Sequence, residues 1–147
     1  MIEVENLSKQ FGSIRAVDNL SFRVEKGEIL GFLGPNGAGK STTMKMITCF
    51  LAPSEGAIKV GGYSTEHSPE NVKKLIGYLP ETSASSADMN VTEFLEFIAE
   101  VRGYRGNEIT ARVENVVKKC FLDSVRYQTI DTLSKGYRQR VGFAQAI

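Results

Sequence analysis

Cysteine and histidine are scarce in this sequence, with Cys49 and Cys120 the two cysteines and His67 the one histidine. Neither cysteine has a CxxC neighbour or a histidine at metal-ligand spacing, which argues against a disulfide framework or a zinc site and suits a reducing compartment. His67 lies in the polar stretch Ser64-Thr65-Glu66-His67-Ser68-Pro69 and reads as an exposed turn residue. Charge of one sign is lacking too: 18 basic and 17 acidic residues are interspersed and leave a net charge of +1, so no stripe or tail marks a nucleic-acid partner. No apolar run approaches membrane-spanning length. The opening Met1-Ile2-Glu3-Val4-Glu5 carries acid where a signal peptide needs a basic region. The expectation is a chain that is neither exported nor inserted in a bilayer.

What remains is the balance of a globular domain: 147 residues, 41% apolar and 24% charged, enough to bury one core. Ile2 to Leu7 alternates apolar and polar, Leu20 to Val24 does so again after the turn-prone Asp18-Asn19, and Glu25-Lys26-Gly27-Glu28 reads as a tight turn. This predicts an antiparallel opening. Ile29-Leu30-Gly31-Phe32-Leu33 is a continuous apolar run, the pattern of a strand buried on both faces. Ala57 to Val60 before Gly61-Gly62, and Leu75 to Leu79 before Pro80, read as further strands.

Helical spacing appears in three places besides a helix expected over Lys40 to Phe50. Val91, Phe94, Leu95, Ile98 and Val101 share one face, with Asn90 and Glu93 placed to cap it and Gly103 to end it. Val113, Val116 and Val117 continue the pattern through Ile109 to Cys120, and Val141, Ala144 and Ile147 repeat it over Lys135 to Ile147. An αβ block is therefore followed by a helical block from about Asn90 to Leu122, with no linker between them.

The chemistry concentrates in Gly34-Pro35-Asn36-Gly37-Ala38-Gly39-Lys40-Ser41-Thr42, which matches G-x-x-x-x-G-K-[ST]. It stands between an apolar run and a helix, so successive backbone N–H groups and the helix N-terminus can converge on a polyphosphate, and Gly37 and Gly39 allow that approach. In this reading Lys40 bridges the β- and γ-phosphates of ATP, the Ser41 hydroxyl coordinates Mg²⁺, and Thr42 lies near the α-phosphate.

That loop alone indicates a P-loop NTPase. Downstream, Leu133-Ser134-Lys135-Gly136-Tyr137-Arg138-Gln139-Arg140 resembles the signature of ATP-binding-cassette (ABC) ATPases, and Ile76-Gly77-Tyr78-Leu79-Pro80-Glu81 resembles the strand and Q-loop of the same family. The likeness covers essentially the whole chain. It implies an α/β P-loop NTPase fold with an antiparallel β subdomain and a helical subdomain. The implied divisions are a nucleotide-binding core over about 1–81, a helical subdomain over about 82–132, and the signature with its helix over 133–147.

By the same resemblance Phe11 takes the place of the aromatic that stacks on adenine, a contact of π faces that tolerates different rings. Glu81 stands where the family's Q-loop glutamine touches Mg²⁺, and a carboxylate is also a hard oxygen ligand. Ser134 and Gly136 match residues that contact the γ-phosphate of ATP held by an opposing subunit, so ATP joins a head-to-tail dimer. Lys135 and Tyr137 replace a Gly and a Gln of the common pattern, a form that resembles the drug, antibiotic and gliding-motility exporter branch. The implied parent is an ATPase subunit on the cytoplasmic face of a membrane, docked on a transmembrane permease, with no direct nucleic-acid partner.

The family's hydrolytic residues, a Walker B strand ending in Asp-Glu and a later switch histidine, have no match in these 147 residues. Cys120-Phe121-Leu122-Asp123 lacks the acidic pair, and Ile130-Asp131-Thr132 directly precedes the signature. No residue here is therefore assigned a catalytic role, and the sequence reads as a portion that stops after the signature. A cassette serving translation or DNA repair, and an ATP-sensing module without turnover, are the competing readings.

Overall fold

The computed structural model describes residues 1–80 and 88–147. They form two compact units, Met1–Ile76 and Gly77–Ile147.

The first unit is built on a four-stranded antiparallel sheet of order β2-β1-β3-β4, with β1 at Ile2–Phe11, β2 at Ile14–Val24, β3 at Glu55–Val60 and β4 at Tyr63–Ser64. Helix α1 (Lys40–Ile47) and helix α2 (Pro69–Leu75) complete it. Val4, Leu7, Val17 and Ile58 from the sheet and Met46, Ile47 and Val72 from the helices form one buried cluster.

The two long strands are not plain alternations. Val4 and Leu7 are both buried though three residues apart, and simple pleating would send them to opposite faces. The switch is made at Asn6, whose φ of 48° is left-handed, and again in β2 at Asn19, with φ of 46°, between Val17 and Leu20. Asparagine tolerates that conformation better than most residues. The two irregularities lock each other: the Asn6 N–H donates to the Ser21 hydroxyl at 2.8 Å and the Asn19 N–H to the Ser8 hydroxyl at 3.0 Å. Asp18-Asn19, expected as a turn before a strand at Leu20, is therefore a bulge inside one continuous strand.

β3 crosses this region at Gly56. Its φ is +86°, and a β-carbon there would stand 2.4 Å from the carbonyl oxygens of both Glu5 and Asn6.

Two expected strands are corrected. Ile29–Leu33 is not a strand: Ile29 is 98% and Leu33 94% exposed, and no neighbouring strand supplies ladder hydrogen bonds among the described residues. Phe32 is held instead through an edge-on contact with the Phe22 ring at 5.2 Å. Leu75–Leu79 is not a strand either, because Leu75 ends α2 and Ile76 continues in extended backbone with no paired strand among the described residues. The helix expected from Lys40 to Phe50 stops at Ile47. There the Thr48 hydroxyl donates to the Met44 carbonyl at 2.7 Å, and Cys49 turns left-handed with φ of 60°.

The second unit contains α3 (Val91–Val101), α4 (Asn107–Lys119) and α5 (Lys135–Ala144), with single 3₁₀ turns at Asp123–Val125 and Ile130–Thr132. The expected cap of α3 is present in reciprocal form. The Glu93 N–H donates to the Asn90 side chain at 3.0 Å, and the Asn90 N–H donates to the Glu93 carboxylate at 3.0 Å. Its core joins Phe94 and Leu95 of α3 to Val113 and Val117 of α4, Leu122 and Ile130 of the connections, and Val141 of α5. An Arg126–Glu114 ion pair ties the 3₁₀ segment to α4. The Arg126 hydrogen bond, outweighing partial desolvation, holds the Glu114 carboxyl below its ordinary range.

Two expectations follow. Gly56→Ala destabilises the first unit by more than about 1 kcal/mol, since a left-handed backbone and a collision with two carbonyls act together, as chemical denaturation will measure. Because its folded pKa is depressed, Glu114 contributes stability above the unfolded carboxyl pKa, and this is lost as pH falls through the folded value. The stability gap between wild type and Glu114→Gln should therefore be present at neutral pH and close in acid. A gap independent of pH would contradict the ion-pair account.

Candidate functional site

The loop from Gly34 to Gly39 is shaped by left-handed glycines: φ is 151° at Gly34, 87° at Gly37 and 83° at Gly39. The Ala38 N–H closes a turn onto the Pro35 carbonyl at 3.2 Å. Gly39 is the N-cap of α1, so no side chain caps the helix, and its first turn holds no acidic residue. The helix begins with the Thr43 N–H donating to the Gly39 carbonyl at 2.8 Å, a bond doubled by the Thr43 hydroxyl at 3.0 Å. The preceding N–H groups of the first turn have no acceptor within the helix and carry its positive end.

The Lys40 ammonium folds back over the loop, donating to the carbonyls of Gly34 at 2.6 Å and Pro35 at 2.7 Å. A full positive charge and the uncapped end of α1 thus occupy the same few residues, without an acidic side chain in that turn to neutralise them. Ser41 is exposed and Thr42 half-buried in the first turn of α1. This is a donor set for a polyphosphate. No group of three His, Cys, Asp or Glu side chains that could hold a metal ion occurs among the described residues.

The loop is anchored at its C-terminal end by close packing on β2. A β-carbon on Gly39 would stand 2.4 Å from the Ala16 carbonyl oxygen and 3.0 Å from a Val17 methyl, whereas one on Gly37 would meet nothing within 4 Å. Ala16 and Val17 escaped the sequence reading, since a strand interior carries no mark of what presses on it.

Phe11 ends β1 opposite Ile14 and is 48% exposed, with the Lys9 ammonium 5.4 Å from its ring centroid. An open ring face at a hairpin end can accept a second flat ring.

In the second unit Ser134 is the N-cap of α5, its side chain accepting from the Tyr137 N–H at 3.4 Å. Gly136 lies in the first turn with open space where a β-carbon would be. The Arg138 guanidinium reaches back to the carbonyls of Leu133 and Asp131 and braces the segment that leads into the cap. Tyr137 and Ser124 share a hydrogen bond at 3.3 Å between their hydroxyls. The Arg138 brace was not singled out from sequence, because a basic residue in a signature-like run reads as solvated surface.

Glu81 lies outside the described residues. His67 is exposed in its turn, and burial pushes the thiols of Cys49 and Cys120 above their ordinary range, so neither is poised as a nucleophile.

The loop geometry makes a comparative forecast. Gly37→Ala carries only the left-handed cost, about 1–2 kcal/mol, while Gly39→Ala adds a collision with β2 and should lower thermal stability clearly further. Equal losses would show that the contact with Ala16 is unimportant.

Residues 17–147 match the protein family described as ABC transporter. The chain is 36% identical over 152 residues to the ABC transporter ATP-binding protein NatA of Bacillus subtilis (strain 168), covering 100% of this chain and 62% of that protein. It is 35% identical over 144 residues to the probable multidrug ABC transporter ATP-binding protein YbhF of Escherichia coli (strain K12), covering 98% of this chain and 25% of that one. Among solved structures, an ATP-binding subunit of an ABC transporter superposes with a TM-score of 0.88 at 30% identity, covering 99% of this chain and 61% of the other. A dimeric ATP-binding cassette in a post-hydrolysis state, bound to ADP and Pi, superposes at 0.84 with 25% identity, covering 100% and 69%. The chain thus spans between a quarter and under two thirds of these two relatives' lengths. Family match and superpositions agree with the α/β architecture, and the chain belongs to the ABC transporter family, with its ABC ATPase fold.

Proposed function

We propose that this chain is the nucleotide-cradling portion of the ATP-binding subunit of an ABC transporter that exports its substrate. The observation that carries the reading is the convergence of the Lys40 ammonium, three left-handed glycines and the uncapped N-terminus of α1 on one short loop. A nucleoside triphosphate is the ligand whose charge such a loop complements.

In this proposal Gly34 to Thr42 hold the phosphates of ATP, Phe11 stacks on the adenine, and Ser41 with Glu81 contributes to the Mg²⁺ shell. Ser134 and Gly136, at the start of α5, receive the γ-phosphate of a nucleotide bound by a second subunit in a head-to-tail dimer. Bound nucleotide would supply the triphosphate and its metal charge; the protein's part is to position and screen that charge. The core over about 1–81, the helical part over 82–132 and the signature segment over 133–147 then have separate tasks: cradle, permease contact and trans recognition. The cytoplasmic face of a membrane, beside a permease, is the corresponding location. No direct nucleic-acid contact is part of this reading, and the interspersed charges agree with that.

Support for export comes from the Leu133-Ser134-Lys135-Gly136-Tyr137 form of the signature and from the word multidrug in the description of the Escherichia coli relative. The sequence contains no Asp-Glu dipeptide, so these residues supply binding without a carboxylate to orient the attacking water.

Two measurements test the proposal. Lys40→Ala should weaken MgATP binding about ten- to a hundredfold by calorimetry, the equivalent of a charge-assisted contact of about 1.5–3 kcal/mol. Unchanged affinity at the same salt would remove the phosphate-cradle assignment. Residues 1–147 should release no phosphate above background, and turnover that depends on Lys40 would show that a catalytic group has been overlooked.

A further inference from the structure

Phe11 is the last residue of β1 and pairs with Ile14 across Gly12 and Ser13. An aromatic side chain at such a tip loses rotamer freedom when a second ring stacks on it, and that loss opposes binding. A contact that fixes the ring beforehand therefore contributes to affinity for a base.

Lys9 makes such a contact. Its ammonium lies 5.4 Å from the Phe11 ring centroid, within cation–π range, and donates to the Ala52 carbonyl at 2.7 Å. Ala52 belongs to the connection from α1 to β3, which is itself fastened at both ends. The Phe50 and Leu51 N–H groups donate to the Lys45 carbonyl of α1 at 2.8 and 3.1 Å, and the Ser54 N–H donates to the Ser8 carbonyl of β1 at 2.9 Å. The Gln10 N–H adds a bond to the Ser54 hydroxyl at 3.1 Å. The half-buried Lys9 is thus held by a backbone acceptor on a pinned segment.

The fastened connection runs along the β3 side of β1, whereas Gly39 of the phosphate loop packs on Ala16 and Val17 of β2, on the other side. A base tethered to phosphates in that loop reaches Phe11 from the β2 side, and the ammonium braces the ring from the β3 side. All of these contacts lie within Met1–Ile76.

We propose that Lys9 is a positioning residue for base recognition, fixing the Phe11 ring so that a purine stacks on an aromatic face already in place. The proposal rests on the stacking role given to Phe11, and Lys9 itself touches no nucleotide in it.

The test is calorimetry on the full chain, comparing MgATP with magnesium tripolyphosphate, which presents phosphates without a base. The ratio of the two affinities reads base recognition alone. Lys9→Met keeps a stem of similar length and removes the charge; it should weaken MgATP about three- to tenfold and leave tripolyphosphate unchanged. Lys9→Arg should keep the wild-type ratio. Phe11→Ala should abolish the preference for MgATP, and adding Lys9→Met to it should change nothing further. Retained tripolyphosphate binding shows that each variant is folded. The proposal is overturned if Lys9→Met leaves the ratio unchanged or raises it, weakens both ligands equally, is not rescued by arginine, or adds to Phe11→Ala. A ratio unaffected by Phe11→Ala removes the stacking role and the Lys9 proposal with it, whereas a ratio lowered by Phe11→Ala and not by Lys9→Met removes the Lys9 proposal alone.

Discussion

The contact on which the phosphate loop depends is between Gly39 and β2, where backbone lies so close to the Ala16 carbonyl that a β-carbon would be 2.4 Å from it. A helix N-terminus is useful for binding anions only if it is held at a fixed place and left uncapped. Glycine at this N-cap meets both needs, because it permits the left-handed turn and the close approach while offering no side chain to the N–H groups behind it. Serine or aspartate caps helices better in general, but here its β-carbon would collide with the Ala16 carbonyl. Local helix stability is given up there, and the packing of Met46 and Ile47 against the sheet offsets the loss.

α5 solves the same problem differently. Ser134 caps its own helix, and the Arg138 guanidinium draws the carbonyls before the cap toward the helix that follows. One first-turn donor of α5, the Tyr137 N–H, is thus met by a side chain, whereas no side chain meets those of α1. The contrast is what the two proposed roles require: one terminus encloses phosphates, and the other offers a preformed surface to a nucleotide on a second subunit. Tyr137 fits that arrangement, since it is tied to Ser124 through its hydroxyl and Arg140 lies 5.3 Å from its ring.

Much of this was legible in the sequence, and the exceptions share a cause. The helices starting at Lys40, Val91 and Lys135 could be read because their signals are local: caps, spacing, and a glycine-rich lead-in. The bulges at Asn6 and Asn19 could have been read from the repeated Asn6-Leu7-Ser8 and Asn19-Leu20-Ser21, whose serines receive each other's asparagine N–H groups. A short repeat inside two alternating segments is easily taken for a turn. The misread strands at Ile29–Leu33 and Leu75–Leu79 failed for another reason: an apolar run reports that a segment is fit to be covered, while a strand exists only when a neighbour supplies its ladder. Glu81, read from the sequence, lies outside the described residues.

The absence of a ladder at Ile29–Leu33 changes what Lys40 does. Before the loop, the chain is held by the Phe32–Phe22 contact, and after it by Gly39 on β2. Across the loop itself, the Lys40 bonds to the Gly34 and Pro35 carbonyls are what join the incoming chain to α1. The ammonium therefore has two carbonyl partners, for which a phosphate bound as proposed would compete. That competition would favour phosphate, because a charge-assisted hydrogen bond between two ions is stronger than one to a neutral acceptor, and a carbonyl offers only a dipole to the same ammonium. A lysine held in place by weaker acceptors needs little reorganisation to meet stronger ones. Its substitution accordingly removes two things at once, the cation proposed to meet phosphate and the clasp between the loop's two limbs. Loss of binding in Lys40→Ala would then contain a loop-ordering component, whereas Lys40→Arg, which keeps the charge and can still reach carbonyls, would separate clasp from geometry.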